Sequence, residues 1–188
     1  ATSLTRRSAM PAAGEPDPPF PSDKRMKETI MLIDALATGR GLPAIEPKRF
    51  DNTRLSGVYR SQHPQSYWSN GLFPAGFRLT LTMRFAENFL AYEGVNDTNP
   101  DKLYINKFDA TLDDKPAPIK GNARYNEVRI RQLGDREFQV LEQLDGDVII
   151  GQYWCFSEDA STLMRWGVGK APDGGSKAFF ETFVRVAD

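Results

Sequence analysis

The sequence predicts a mainly β protein: an antiparallel up-and-down barrel of about 8–10 strands with one amphipathic helix before it. Three observations carry this prediction. From about residue 50 onward, apolar residues recur with a period of two rather than 3.6. The alternating stretches follow one another through short turns, with no helical pattern between them. A run of antiparallel strands left as an open sheet exposes two edges, and closing into a barrel removes them. A two-sheet sandwich is the alternative.

In chain order, residues 1–21 come first. They hold Pro11, Pro16, Pro18, Pro19 and Pro21 out of 13 prolines in the chain. Proline fixes φ and removes a donor, so a disordered Pro-rich tail is expected there, followed by a single domain over 22–188. Thr5-Arg6-Arg7-Ser8 is similar to the start of a twin-arginine export signal, but prolines stand where an apolar stretch should follow. A solvated basic tail and a cytoplasmic location are therefore expected, with export after an upstream cleavage as the alternative. Ser22 can cap a helix over 23–38 with an acidic first turn. Met26, Ile30, Ile33 and Ala37 form its apolar stripe, and Gly39, Gly41 and Pro43 supply the stop.

The strands then follow. Leu55–Ser61 opens the series. Phe77–Phe85 alternates without a fault, placing Phe77, Leu79, Leu81, Met83 and Phe85 on one face. Phe89–Val95, Leu103–Thr111, Tyr125–Leu133 and Glu137–Leu144 continue the series. Asp145-Gly146 is a strong hairpin signal. It leads into Asp147–Ser157, then Ser161–Val168, and Pro172-Asp173-Gly174-Gly175 turns into Lys177–Val186.

Composition excludes several classes. The 188 residues carry 24 Lys+Arg and 25 Asp+Glu, a net charge of −1, which gives no general pull toward nucleic acid or anionic lipid. No apolar run approaches the roughly 20 residues of a membrane-spanning helix. The chain has one cysteine, Cys155, and one histidine, His63, so neither an internal disulfide nor a multi-His or Cys-rich metal site can form. No metal or other cofactor is expected. There is no phosphate-binding Gly-rich loop, no dinucleotide fingerprint and no Gly-x-Ser-x-Gly elbow. Arg124, Arg129 and Arg131 with Tyr125 form a basic stretch, but Glu127 interrupts it, and a solvated strand face is the better reading.

The stretch Asp113-Asp114-Lys115-Pro116-Ala117-Pro118-Ile119-Lys120-Gly121-Asn122, followed by Glu127-Val128-Arg129-Ile130-Arg131, resembles a segment of small bacterial lipocalin-like proteins. In these an Asp-Gly-Lys turn and a proline lead to a Gly-Asn pair. Asp114 stands at the turn position usually held by glycine. Phe138–Glu142, the Asp145-Gly146 turn, Ser157-Glu158-Asp159 and the closing Phe179–Arg185 continue the similarity, over about residues 52–186. The resemblance implies a calycin-type barrel with a lumen, and it implies no catalytic residue.

The last three strands hold the candidate site. Tyr153, Trp154, Phe156, Trp166, Phe179, Phe180 and Phe183 concentrate there. Alternation sets Trp154 and Phe156 opposite Tyr153 and Cys155. Both faces are partly apolar, so something must cover the outer one: helix 23–38, a second subunit, or both. Most of these rings are accounted for by core packing. The polar residues in the apolar register say more. Gln152 shares the parity of Trp154, Arg165 that of Leu163, and Glu181 that of Phe179 and Phe183. If the Trp154 face is the lumen, Gln152 points into it; Arg165 and Glu181 then form a fixed ion pair, or Glu181, Arg165 and Arg185 lie on the solvated outer wall. The loop after the first strand carries His63, Tyr67 and Trp68, and Asn70–Gly76 has the look of a lid. His63 can serve as a general base or be an ordinary surface histidine. Cys155 reads as an inert thiol within a strand.

Three functional expectations follow. The first is binding of a small apolar or aromatic molecule, lined by Gln152, Trp154, Phe156, Trp166, Phe179, Phe183, Tyr67 and Trp68. The second is a cofactor-independent lyase, isomerase or cyclase, with Glu181, Arg165, Tyr153 and His63 moving the proton. The third is a homo-oligomeric structural subunit.

Overall fold

The computed structural model describes residues 50–69, 71, 73–171 and 174–187. The Pro-rich tail and helix 23–38 lie outside these residues. Eleven strands run β1 (Gly57–Ser61), β2 (Tyr67–Trp68), β3 (Leu79–Ala86), β4 (Phe89–Asn96), β5 (Tyr104–Thr111), β6 (Ala117–Pro118), β7 (Glu127–Gln132), β8 (Glu137–Leu144), β9 (Asp147–Phe156), β10 (Thr162–Lys170) and β11 (Ser176–Ala187). All pairings are antiparallel, and the strands form one sheet in the order β5-β4-β3-β1-β11-β10-β9-β8-β7-β6. Among the described residues no helix is long and apolar enough to cross a membrane.

The sheet rolls into a nearly closed barrel. Its two ends meet where Lys107 and Lys120 exchange both backbone hydrogen bonds, at 3.1 and 2.8 Å. Further along the seam, Asp114 N donates to Ile130 O at 2.8 Å and Gln132 N to Leu112 O at 3.0 Å. The edges that an open meander would expose are thus largely satisfied. Asp114 sits at φ 69°, the left-handed region. Glycine adopts that conformation without steric cost, and an aspartate tolerates it better than most side chains.

The two short strands β2 and β6 escape the sequence analysis because two residues cannot display a period. They matter for shape. β11 is twelve residues long and is shared on one side. Its later part pairs with β1, Ser61 opposite Phe183, and its earlier part pairs with β2, Phe179 opposite Trp68. The expected strand from Phe77 begins two residues later, at Leu79. Phe77 is held in a turn, its N–H donating to Pro74 O at 3.0 Å.

Register answers the question of facing. Gln152, Trp154, Phe156, Leu163, Phe179, Glu181 and Phe183 are all buried, so their parity is the lumen. The solvated-wall alternative for Arg165 and Glu181 is ruled out by their burial. On the outside, Tyr67, Phe180, Trp166 and Tyr153 form one row across β2, β11, β10 and β9, each opposite the next. All four are exposed.

One end of the barrel is solid. Tyr59, Phe85, Phe138 and Phe156 pack with ring centroids 5.5–6.1 Å apart, mostly edge to face. Leu55, on a 3-10 turn over Thr53–Leu55, caps them and is fully buried. Asn52 and Gln132 exchange two amide hydrogen bonds of 2.9 Å behind it. Asn52 also donates to Glu87 O at 2.9 Å, so this buried amide is well satisfied.

Candidate functional site

The other end is hollow. A cavity of about 320 Å³ opens between the start of β3, the end of β4, the start of β5, the segment leading into β7, the later part of β8, the middle of β9, and the facing parts of β10 and β11. This lies at the lower end of the ~300–1,000 Å³ range of small-molecule sites.

Its floor is polar. Arg165 donates to Glu181 Oε2 from both Nε and Nη2, each at 2.6 Å. The pairing follows from the ladder, since Arg165 on β10 stands directly opposite Glu181 on β11. Arg165 is also seated over the Phe183 ring at 4.9 Å, where the solid core ends. Glu181 Oε1 accepts from Trp68 Nε1 at 3.0 Å, which ties β2 to the floor. Burial works against the charge on Arg165, but Glu181, Tyr92 and Glu142 outweigh it and hold the guanidinium protonated.

Beside this pair lies Glu142, buried on β8. Its carboxylate accepts only long hydrogen bonds, from Asn106 Nδ2 at 3.3 Å and Gln152 Nε2 at 3.4 Å. Arg165 is spent on Glu181 and makes no close pair with it. Burial pushes the Glu142 carboxyl up to about 7, against the pull of Arg165 and Arg124 and with help from Glu181. Two tyrosines flank it. Tyr125 is pushed up to about 12 by burial and by the Glu142 charge. Tyr92 is likewise raised by burial, although Arg165 hydrogen-bonds its hydroxyl. The Tyr92 ring stacks on Phe108 at 4.5 Å and on Trp154 at 5.7 Å. Its hydroxyl passes over Gly94, where a Cβ would meet it at 2.7 Å. Glycine at 94 therefore makes room for the tyrosine that walls the cavity.

Gln152 completes the floor. Its Oε1 is buried and has no hydrogen-bond partner. Its backbone runs close against β10, so a Cβ on Gly167 would lie 2.1 Å from Gly151 O and 2.7 Å from Gln152 Cα.

The mouth is aromatic and cationic. Trp68, Phe73 and Phe77 meet edge to face at 4.9–5.7 Å. Lys177 Nζ sits over the Trp68 ring, 2.9 Å from its centre. Burial pulls Lys177 down, with Glu181 opposing and Arg124 adding to it. Arg124 packs on Tyr125 and donates to Lys170 O. Lys170 is paired with Asp147 at 2.7 Å.

Of the residues expected from sequence, Glu181, Arg165, Gln152, Trp68 and Phe179 line this cavity. Trp154 lies beneath it, behind Tyr92. Phe156 and Phe183 belong to the solid core. Tyr153 and Trp166 stack on each other on the outer wall, 6.1 Å apart, and Tyr67 is exposed near them. His63 is exposed on a 3-10 turn and touches Phe73 at 5.3 Å, outside the cavity lining. The acid–base set is thus split, with Tyr153 and His63 away from Glu181 and Arg165. Two residues of the expected lid, Asn70 and Leu72, lie outside the described residues. Cys155 is half-buried, and burial raises its thiol.

Sequence reasoning missed Glu142, Tyr92, Tyr125 and Asn106. A signal for Glu142 was present. It shares parity with Phe138 and Val140, the same kind of register break that singles out Glu181. Among the described residues there is no cluster of His, Cys, Asp and Glu able to hold a metal ion. The fold and site thus define an antiparallel β-barrel plugged at one end, with a polar-floored cavity at the other. No protein-family model and no curated protein matches the chain.

Proposed function

We propose that the protein binds a small molecule with a flat apolar or aromatic body and a polar group in the open-end cavity. The observation that carries this reading is Gln152 Oε1, a buried acceptor at the cavity floor without a partner. Leaving such a group unpaired costs about 1–3 kcal/mol, so it marks a place where a donor is expected. The walls of Trp68, Phe77, Tyr92 and Phe179 support a flat body. The lipocalin-like resemblance agrees with this reading, because a barrel of this size encloses room for one small ligand. Trp68 lies in the wall and reports occupancy. Titration with a broad panel of small aromatic metabolites, followed by tryptophan fluorescence and native mass spectrometry, is expected to show saturable one-to-one binding. Absence of any saturable change across the panel contradicts the reading.

A second reading, cofactor-independent proton transfer, rests on Glu142. A carboxyl poised near neutrality in a cavity that also holds Tyr92, Tyr125 and Arg165 has the properties of a general acid or base. The test is turnover of bound panel compounds. Conversion that vanishes in Glu142→Gln while binding persists supports it, and binding without any conversion excludes it.

A further inference from the structure

The hydrogen-bonding inventory of the cavity restricts what kind of ligand it accepts, given that it is a binding site at all. Two under-filled acceptors lie at the floor, while Trp154 Nε1, an unpaired donor, is buried beneath it. Gln152 Oε1 has no partner. The Glu142 carboxylate has two partners, both long and neutral. The strong donor nearby, Arg165, is bound through two nitrogens to Glu181. A ligand group seated against these two oxygens must donate, and a carboxylate or ether placed there would face two acceptors; the Tyr92 and Tyr125 hydroxyls in the same lining can donate to the ligand in turn.

The mouth has the opposite character. The cavity lining holds four basic residues, Arg124, Arg165, Lys170 and Lys177, and two acidic ones, Glu142 and Glu181. Two of the basic residues already have carboxylate partners, Arg165 in Glu181 and Lys170 in Asp147. Lys177 and Arg124 rest on the faces of Trp68 and Tyr125 instead, and among the described residues neither pairs with a carboxylate. Both carry their charge at the entrance, where it is only partly solvated. Between floor and mouth the walls are rings. Donor below, flat body between and anion above is therefore the arrangement that complements this cavity.

We propose that the ligand is a flat heteroaromatic anion whose N–H edge donates to Gln152 and Glu142 at the floor and whose carboxylate or phosphate lies at the mouth between Lys177 and Arg124. A purely hydrophobic molecule leaves the floor acceptors unpaired, and an organic cation meets uncompensated positive charge on the way in. Glu142 is held ionised for the test by working at pH 8, above the value of about 7 to which burial raises it, so it cannot itself donate to Gln152.

The experiment compares three probes of one shape by calorimetric titration at pH 8: indole-5-carboxylate, benzothiophene-5-carboxylate, which lacks the N–H, and indole-5-carboxamide, which lacks the charge. Indole-5-carboxylate is expected to bind at least about tenfold tighter than either of the others, because a site built to pair a donor rejects an analogue without one. Gln152→Leu is expected to erase the preference for the indole over the benzothiophene while keeping the preference for the anion. Lys177→Gln combined with Arg124→Gln is expected to do the reverse and to flatten the salt dependence. If the three probes bind equally well, or if the N–H preference survives in Gln152→Leu, this inference fails while the cavity remains a binding site. If none of the three binds, this inference fails, and the broad panel alone decides the binding reading.

Discussion

The two ends of the barrel are built by the same strands to opposite ends. On β9, Phe156 packs on three other rings in the solid end, and four residues earlier Gln152 sits at the floor of a hollow with an unpaired oxygen. On β8, Phe138 is core and Glu142 is cavity. On β11, Phe183 is core and Glu181 is cavity. The change from apolar to polar steps along the ladder, between Leu163 and Arg165 on β10, Trp154 and Gln152 on β9, and Val140 and Glu142 on β8. At the solid end the buried Asn52 amide makes three hydrogen bonds. The hollow end leaves Gln152 Oε1 without a partner. The difference indicates that stability is concentrated at one end and that the other end accepts a local cost, a pattern associated with functional sites.

Substitutions sharpen this contrast. The largest effect is expected at the solid end. Phe156→Ala removes a ring shared by Tyr59, Phe85 and Phe138 and is expected to lower stability by about 3–5 kcal/mol in denaturant unfolding. If it costs less than 1 kcal/mol, the solid end is not what holds the barrel together.

Next comes the ion pair at the boundary. Arg165→Met strands Glu181 in a buried site and is expected to cost about 3–5 kcal/mol, whereas Arg165→Met with Glu181→Gln recovers most of that loss. A double variant as unstable as the single one would show that the two charges do not act as a pair.

Glu142 predicts a pH effect of about 3 kcal/mol. Its folded carboxyl titrates near 7 against an ordinary 4.5. Between these values the folded protein holds a proton that the unfolded chain has released, so stability falls as pH rises. The favourable contribution is fully present below about 4.5 and lost above about 7. The groups facing Glu142 are Arg165, Arg124, Glu181, Tyr92, Tyr125, Asn106 and Gln152. Glu142→Gln is expected to flatten the stability profile across this window, and an unchanged profile contradicts the placement of this carboxyl.

The smallest effect is expected at Gln152. Replacing its unpaired amide by leucine fills a similar volume, so Gln152→Leu should change stability by no more than about 1 kcal/mol in either direction. A loss comparable to Phe156→Ala would make Gln152 a structural residue.

The strand pattern was legible in the sequence because the apolar period of two survives wherever one face is buried, as over Leu79–Phe85. Parity also set Tyr153 opposite Trp154 and offered an Arg165–Glu181 pair as one of two readings, but it could not say which face is inside. What alternation cannot express is depth along the barrel axis. Gln152, Trp154 and Phe156 share a face, yet one is cavity floor, one lies beneath it and one is core, and their levels depend on the stagger between strands. The aromatic density of β9–β11 also drew the site toward Trp166 and Tyr153, whose rings pack on the outer wall. The residues that complete the cavity, Tyr92, Asn106 and Tyr125, arrive from distant parts of the chain through closure of the sheet. No local motif announces them.

The central claim is that one end of this barrel is a receptive hollow and the other a sealed core. Amide NMR during titration with indole-5-carboxylate at pH 8 tests it most directly. The account predicts saturable shifts at Gly94, Asn106, Gln152 and Gly169 around the cavity, with Gly57, Leu55 and Ala160 unmoved at the sealed end. Shifts spread evenly over both ends, or confined to the outer row of Tyr67, Phe180, Trp166 and Tyr153, would contradict it.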